Sequence, residues 1–159
     1  MDGRGDGFKC GYAVSLSADG TVVAFGCPTS KDEGLNRGTI QVYEKKSSTV
    51  DWEQVGQDIN GVDPSDQFGY SIAMNADGTI VAGGSPYHST SPNERNDAGQ
   101  ARVFKLTSGV WNQLGGDCDG ASEIVWFGYA MSMEGDGNIL AVSSPYEVRY
   151  IMSSATCSF

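Results

Sequence analysis

The chain is predicted to be all-β, a run of four-stranded antiparallel sheets repeated radially as in a β-propeller whose ring is not closed. Three observations lead there. The segments GYAVSLSADG (11–20), GYSIAMNADG (69–78) and GYAMSMEGDG (128–137) align without gaps, 58 and 59 residues apart. Two further blocks recur in the same order: Gly38–Tyr43 with Gly99–Phe104, and Trp52–Gly61 with Trp111–Gly120. Apolar residues within the units follow a period of two, the period of a strand, and no helical stretch interrupts them.

The first strand of each unit alternates Tyr12, Val14 and Leu16 with Ala13, Ser15 and Ser17, and residues 70–75 and 129–134 repeat the pattern. Asp19-Gly20, Asp77-Gly78 and Asp136-Gly137 then predict a tight hairpin, whose turn needs a positive φ. The returning strands, residues 21–26, 79–84 and 138–143, are nearly continuous apolar runs suited to a central position covered on both faces. Pro28, Pro86 and Pro145 end them, because proline cannot donate to a ladder. Polar loops follow, Thr29–Arg37 and Tyr87–Ala98, then a third strand near Ile40–Val42 and Ala101–Val103, and a fourth near Trp52–Val55 and Trp111–Leu114. Four short strands per unit of about 59 residues describe a propeller blade.

The units divide the chain into a linker (1–10), a first blade (11–61), a second (62–120), a partial third (121–146) and a divergent tail (147–159). Propellers close with about four to eight blades, so two units and part of a third leave blade faces open. Covering them is expected to need missing blades or self-association. The tail lacks the acidic loop and fourth-strand tryptophan of the other units, which reads as truncation.

The 159 residues carry a formal charge of −10, which argues against nucleic acid and anionic membranes as partners. No apolar run approaches the ~20 residues that span a bilayer. The opening residues lack the apolar core of a secretory leader.

Phe68-Gly69 with Gly84-Ser85-Pro86, and Phe127-Gly128 with Ser143-Ser144-Pro145, resemble the paired elements of the FG-GAP repeat of integrin-α-type propellers. The resemblance covers roughly residues 6–146. Its first unit departs from the pattern, with Cys10-Gly11 and Gly26-Cys27-Pro28 in the corresponding places. It implies a propeller fold, protein binding, and an extracellular or cell-surface setting. It does not carry over the family's calcium loop, because the connection where that loop would sit is the Asp-Gly hairpin. WD-type repeats have too short a period, and the sialidase-type Asp box needs a spacer and an aromatic that residues 17–21 lack.

No cofactor is expected, beyond a weak surface Ca²⁺ at Asp63 and Asp66 or at Asp32 and Glu33. His88, the single histidine, falls in a polar loop with no evident partner for acid–base work. No Gly-x-Ser-x-Gly elbow or metal triad is present, so the chain is read as non-catalytic. Arg4-Gly5-Asp6 matches an integrin-ligand tripeptide but reads as linker. Cys10 and Cys118 align with apolar strand positions and are expected to be small buried hydrophobes. Counting back from Asp19-Gly20 sets Cys27 opposite residue 12, which argues against a Cys10–Cys27 bridge.

The favoured function is an interaction scaffold whose variable loops meet a protein partner through Asp32, Glu33, Asn36, Arg37, His88, Asn93, Glu94, Arg95 and Asp97. The alternative is a glycan-binding module using Trp52, Trp111 and acidic residues, although the recurrence of these tryptophans also suits packing between blades.

Overall fold

A computed structural model describes residues 10–30, 36–46, 51–90, 96–146 and 150–153. Among the described residues, thirteen strands form three antiparallel sheets and there is no helix. The first sheet contains β1 (Ala13–Leu16), β2 (Val22–Cys27), β3 (Thr39–Lys45), β4 (Trp52–Gln54) and β5 (Ile59–Asn60). The second contains β6 (Ser71–Met74), β7 (Ile80–Ser85), β8 (Gln100–Thr107), β9 (Val110–Gln113) and β10 (Cys118–Asp119). The third contains β11 (Ala130–Met133), β12 (Ile139–Ser143) and β13 (Tyr150–Ser153).

In the first two sheets, the last two short strands both pair with the third strand, so together they make one interrupted fourth strand. The interruption coincides with Gly56 and Gly115, both at positive φ. In the third sheet, β13 pairs with β12 along its length, so that sheet continues past residue 146 into what the sequence marks as tail.

The Asp-Gly hairpins form as expected, with Gly20, Gly78 and Gly137 at φ 72°, 74° and 79°. The Asp19 carboxylate accepts the Thr21 N–H at 2.9 Å and the Thr21 hydroxyl, and Asp77 does the same with Thr79. These bonds hold both carboxyls below the usual carboxylate range.

The core lies between sheets. One cluster joins Ala24, Ile40, Val42 and Ile59 of the first sheet to Ile72, Met74, Val81 and Phe104 of the second. The other joins Ala73, Ile80, Ala82 and Val103 of the second to Leu140 and Val142 of the third. Each Phe-Gly pair sits at one of these seams. Phe68 and Phe127 are fully buried, and their N–H groups donate to the Arg37 and Ala98 carbonyls at 2.9 and 3.0 Å. The following glycines turn their carbonyls onto the preceding sheet, where a Cβ at Gly26 would strike the Gly69 oxygen and one at Gly84 the Gly128 oxygen. Close backbone approach is why the second strand carries glycine there. At the hairpin end, the Ala18 N–H donates to the Ala76 carbonyl at 2.8 Å and the Ala76 N–H to Gly135 at 2.9 Å, tying the three sheets in a row.

Two expectations are corrected. Cys10 and Cys27 are bridged, with Cα atoms 4.0 Å apart. The register does place Cys27 opposite residue 12, since Ala13 faces Gly26. The Gly11 and Tyr12 N–H groups, however, both donate to the Gly26 carbonyl, with Gly11 at φ 85°. This bulge carries Cys10 back over Cys27. Cys10 is therefore exposed and oxidised, not a buried hydrophobe, and Cys118, although buried, is also disulfide-bonded. No helix in the described residues is long and apolar enough to cross a membrane.

Candidate functional site

The up-and-down order of the strands puts the Asp-Gly hairpins at one end of every sheet and the connections β2–β3, β5–β6, β7–β8 and β10–β11 at the other. These connections interlock. The Ile124 N–H donates to the Asn96 carbonyl at 2.7 Å, Trp126 to Asp97 at 3.3 Å, and Gly99 to His88 at 3.0 Å. Of the loop residues the sequence singles out, Asn36, Arg37, His88 and Asp97 lie at this end. Asp32, Glu33, Asn93, Glu94 and Arg95 lie outside the described residues, as does Arg4-Gly5-Asp6.

His88 is not a solvated loop residue, and it has the partner that sequence reading denied it. It is 7% exposed, and its Nδ1 is 3.1 Å from the Oδ2 of Asp66, itself 2% exposed. The same oxygen accepts the Asp63 N–H at 3.0 Å. On the other side, the Gln100 amide nitrogen contacts His88 Nε2 at 3.2 Å and donates to Asp119 at 2.9 Å. With the Gln100 amide donating to Asp119, a neutral His88 ring can accept a second Gln100 N–H at Nε2 while its Nδ1 proton is directed at Asp66. Burial works against charging the ring, but the hydrogen bond and charge of Asp66, with the charges of Asp119 and Asp63, outweigh it and raise the pKa above the ordinary 6.5.

Asp63, Asp66 and His88 each bring one ligand atom within 4.8 Å of the others. A nitrogen with two carboxylates is a set suited to a small transition-type ion, not the six to eight oxygens that calcium takes. Nearby, Arg102 is buried, with its guanidinium 4.4 Å above the Phe68 ring and donating to the Asn60 carbonyl at 2.9 Å. Burial depresses its pKa, while the charges of Asp117, Asp66 and Asp63 oppose that shift.

The same end carries a row of aromatic rings. Tyr12, Tyr70 and Tyr129, one per sheet, are separated by centroid distances of 4.8 and 5.3 Å. Tyr87 meets Tyr70 at 5.8 Å and Trp126 at 5.6 Å, and Trp126 meets Tyr146 at 5.0 Å. Hydrogen bonds to the Tyr12 and Tyr129 hydroxyls flank Tyr70 and, with burial, push its pKa upward. Tyr12, Tyr129 and Tyr146 remain exposed. Sequence reading missed this row, although Gly-Tyr recurs in all three units and Pro-Tyr in the last two.

Trp111 is buried between sheets. Its Nε1–H donates to the Val55 carbonyl at 2.8 Å, and its backbone exchanges hydrogen bonds with the Gln57 side chain at 3.0 and 2.7 Å. It is therefore occupied by packing and offers no ring face to a sugar.

Comparison with solved structures bears on the architecture. The chain is similar to one in the complex of KlAtg21 with the coiled coil of AgAtg16, with a TM-score of 0.67 and 20% identity over 96% of this chain. Atg21 is a β-propeller protein. The fold is propeller-like. This chain spans 42% of the length of that one. No family model matches the sequence, and no curated protein does.

Proposed function

We propose that the chain is a non-catalytic interaction module of the FG-GAP propeller type, which presents its loop end to a protein partner. The observation that carries this reading is the aromatic row, with three rings exposed, set among connections held rigid by the buried His88–Asp66–Gln100 network. Tyrosine and tryptophan on a rigid frame supply contact area at low entropic cost. A coiled coil occupies the complex with KlAtg21, so an extended helical protein is the partner class to try first. The Cys10–Cys27 bridge supports an oxidising, extracellular or surface setting, in line with the family resemblance.

The test is capture of a partner by the wild-type chain, followed by Tyr146→Ala, Trp126→Ala and Arg37→Ala at the loop end and Asp19→Ala and Asp77→Ala at the hairpin end. The reading expects binding to be lost only with the first group. Loss confined to the hairpin group would reverse it.

A further inference from the structure

The second unit carries a polar cluster that the repeat itself does not require. At the place of His88 the first unit has Ser30, and at the places of Asp63 and Asp66 the third has Ser122 and Val125. Val125 is buried in the core, so an apolar side chain serves where Asp66 stands. In the first sheet the pair equivalent to Gln100 and Asp119 is neutral, with the Thr39 hydroxyl donating to the Asn60 amide oxygen. Burying a carboxylate where an uncharged residue suffices costs stability unless its charge is matched. The charges acting on His88 and Arg102 are four carboxylates, Asp63, Asp66, Asp117 and Asp119, against the one guanidinium of Arg102. The surroundings therefore favour a cation.

Three ligand atoms converge there. His88 Nδ1 lies 3.1 Å from Asp66 Oδ2 and 4.0 Å from Asp63 Oδ2, and all three atoms fall within 4.8 Å of one another. Ligand atoms around a tetrahedral ion, at bond lengths of about 2.1 Å, sit roughly 3.4 Å apart. The first pair lies close to that spacing. Asp63, whose side chain is 57% exposed, can swing to close the second and leaves the outer side of the site open to water.

The other ring nitrogen is prepared for the same state. Gln100 is 3% exposed, and its Oε1 has no hydrogen-bond partner among the described residues, while its Nε2 faces both His88 Nε2 and Asp119. An ion on Nδ1 moves the ring proton to Nε2. Turning the Gln100 amide over then sets the orphaned oxygen on that N–H, and Asp119, 44% exposed at its side chain, exchanges the amide for water. A metal-bound histidine almost always donates its outer N–H to such an acceptor. The buried oxygen is thus orphaned without an ion and satisfied with one.

We propose that Asp63, Asp66 and His88 bind one divalent first-row transition ion, with Zn²⁺ as the reference case and water as the fourth ligand. Calcium suits the set poorly, since it takes six to eight oxygens. No free cysteine in the described residues competes for the ion. The ion ties connection β5–β6 to connection β7–β8 and stands or falls independently of the protein-partner reading.

His88 is the single histidine, so its ring is read without ambiguity. The chelator-treated chain is titrated with ZnCl₂ and followed by long-range ¹H–¹⁵N NMR of the imidazole. Saturation at a single equivalent is expected, with the ring proton moved from Nδ1 to Nε2, whereas Ca²⁺ or Mg²⁺ at the same concentration leaves the ring unmoved. By isothermal calorimetry, Asp66→Asn and His88→Gln are each expected to weaken Zn²⁺ binding by at least about tenfold, and Asp136→Asn, at the hairpin end, leaves it unchanged. The NMR result on the wild-type chain decides the matter even where a variant fails to fold. A ring that keeps its Nδ1 proton in saturating Zn²⁺ overturns the proposal, as does a Ca²⁺ response equal to that of Zn²⁺. So does wild-type affinity in folded His88→Gln or Asp66→Asn, or an equal loss in Asp136→Asn, either of which would mean that surface carboxylates hold the ion.

Discussion

The first and second sheets have nearly the same inner strand but different surroundings. All four residues of β6 are buried, while β1 alternates half-buried and exposed positions. The same contrast holds for the central strands, since every residue of β7 is buried and β2 is covered only in part. Strand formation is therefore local to each unit, and burial is set by the neighbour. The seam glycines make the same point. Gly26 and Gly84 each meet the carbonyl of a following sheet, and the third sheet has Ser143 at the equivalent position, where no following sheet packs among the described residues.

The sharpest way to break this comparison is at the seam. Gly84→Val is expected to destabilise the chain by at least ~3 kcal/mol, because its Cβ meets backbone that cannot yield. Ser143→Gly at the equivalent position should change stability by no more than about 1 kcal/mol, since it lies outside any seam. Urea unfolding of the two variants checks the pair, and equal losses would erase the distinction between inner and outer sheets.

A smaller effect is expected in the first sheet alone. The Cys10–Cys27 bridge has a sequence separation of 17. Cys10→Ala should lower the unfolding free energy by about 3 kcal/mol, the chain-entropy value for a loop of that size. Thermal unfolding of the variant against wild type measures it. Hydrogen exchange should show the loss of protection concentrated in β1 and β2.

The smallest effect belongs to the second sheet. A histidine pKa raised by folding contributes stability that is complete below its unfolded value and is lost as pH rises through the folded value. Stability should therefore fall as pH climbs from the ordinary histidine value of 6.5 through the raised value of His88. His88→Gln should remove that slope, as read from denaturant midpoints across pH. A slope of opposite sign would mean that desolvation, not Asp66, governs the ring.

The repeat was legible because its signals are local: a period of two, Asp-Gly at each hairpin, and Phe-Gly at each seam. The bridge was not, because a bulge at Gly11 shifts Cys10 by two positions relative to ideal pairing. The His88–Asp66 contact joins residues 22 apart in two different connections, and no periodicity links them. Asp66 has no counterpart in the third unit, where Val125 stands in its place, so recurrence could not flag it either. Tyr12, Tyr70 and Tyr129 were visible as strand residues. Their meeting across sheets depends on how the units stack, which single-strand patterns do not encode.

The central claim is that equivalent positions differ in energy only through their neighbours. It is tested most directly by Met74→Ala and Leu16→Ala, unfolded in urea at a concentration where the chain is monomeric. Truncating the buried Met74 should cost about 2–5 kcal/mol, and truncating the half-exposed Leu16 less than about 1 kcal/mol. Equal costs at the two sites would contradict the account.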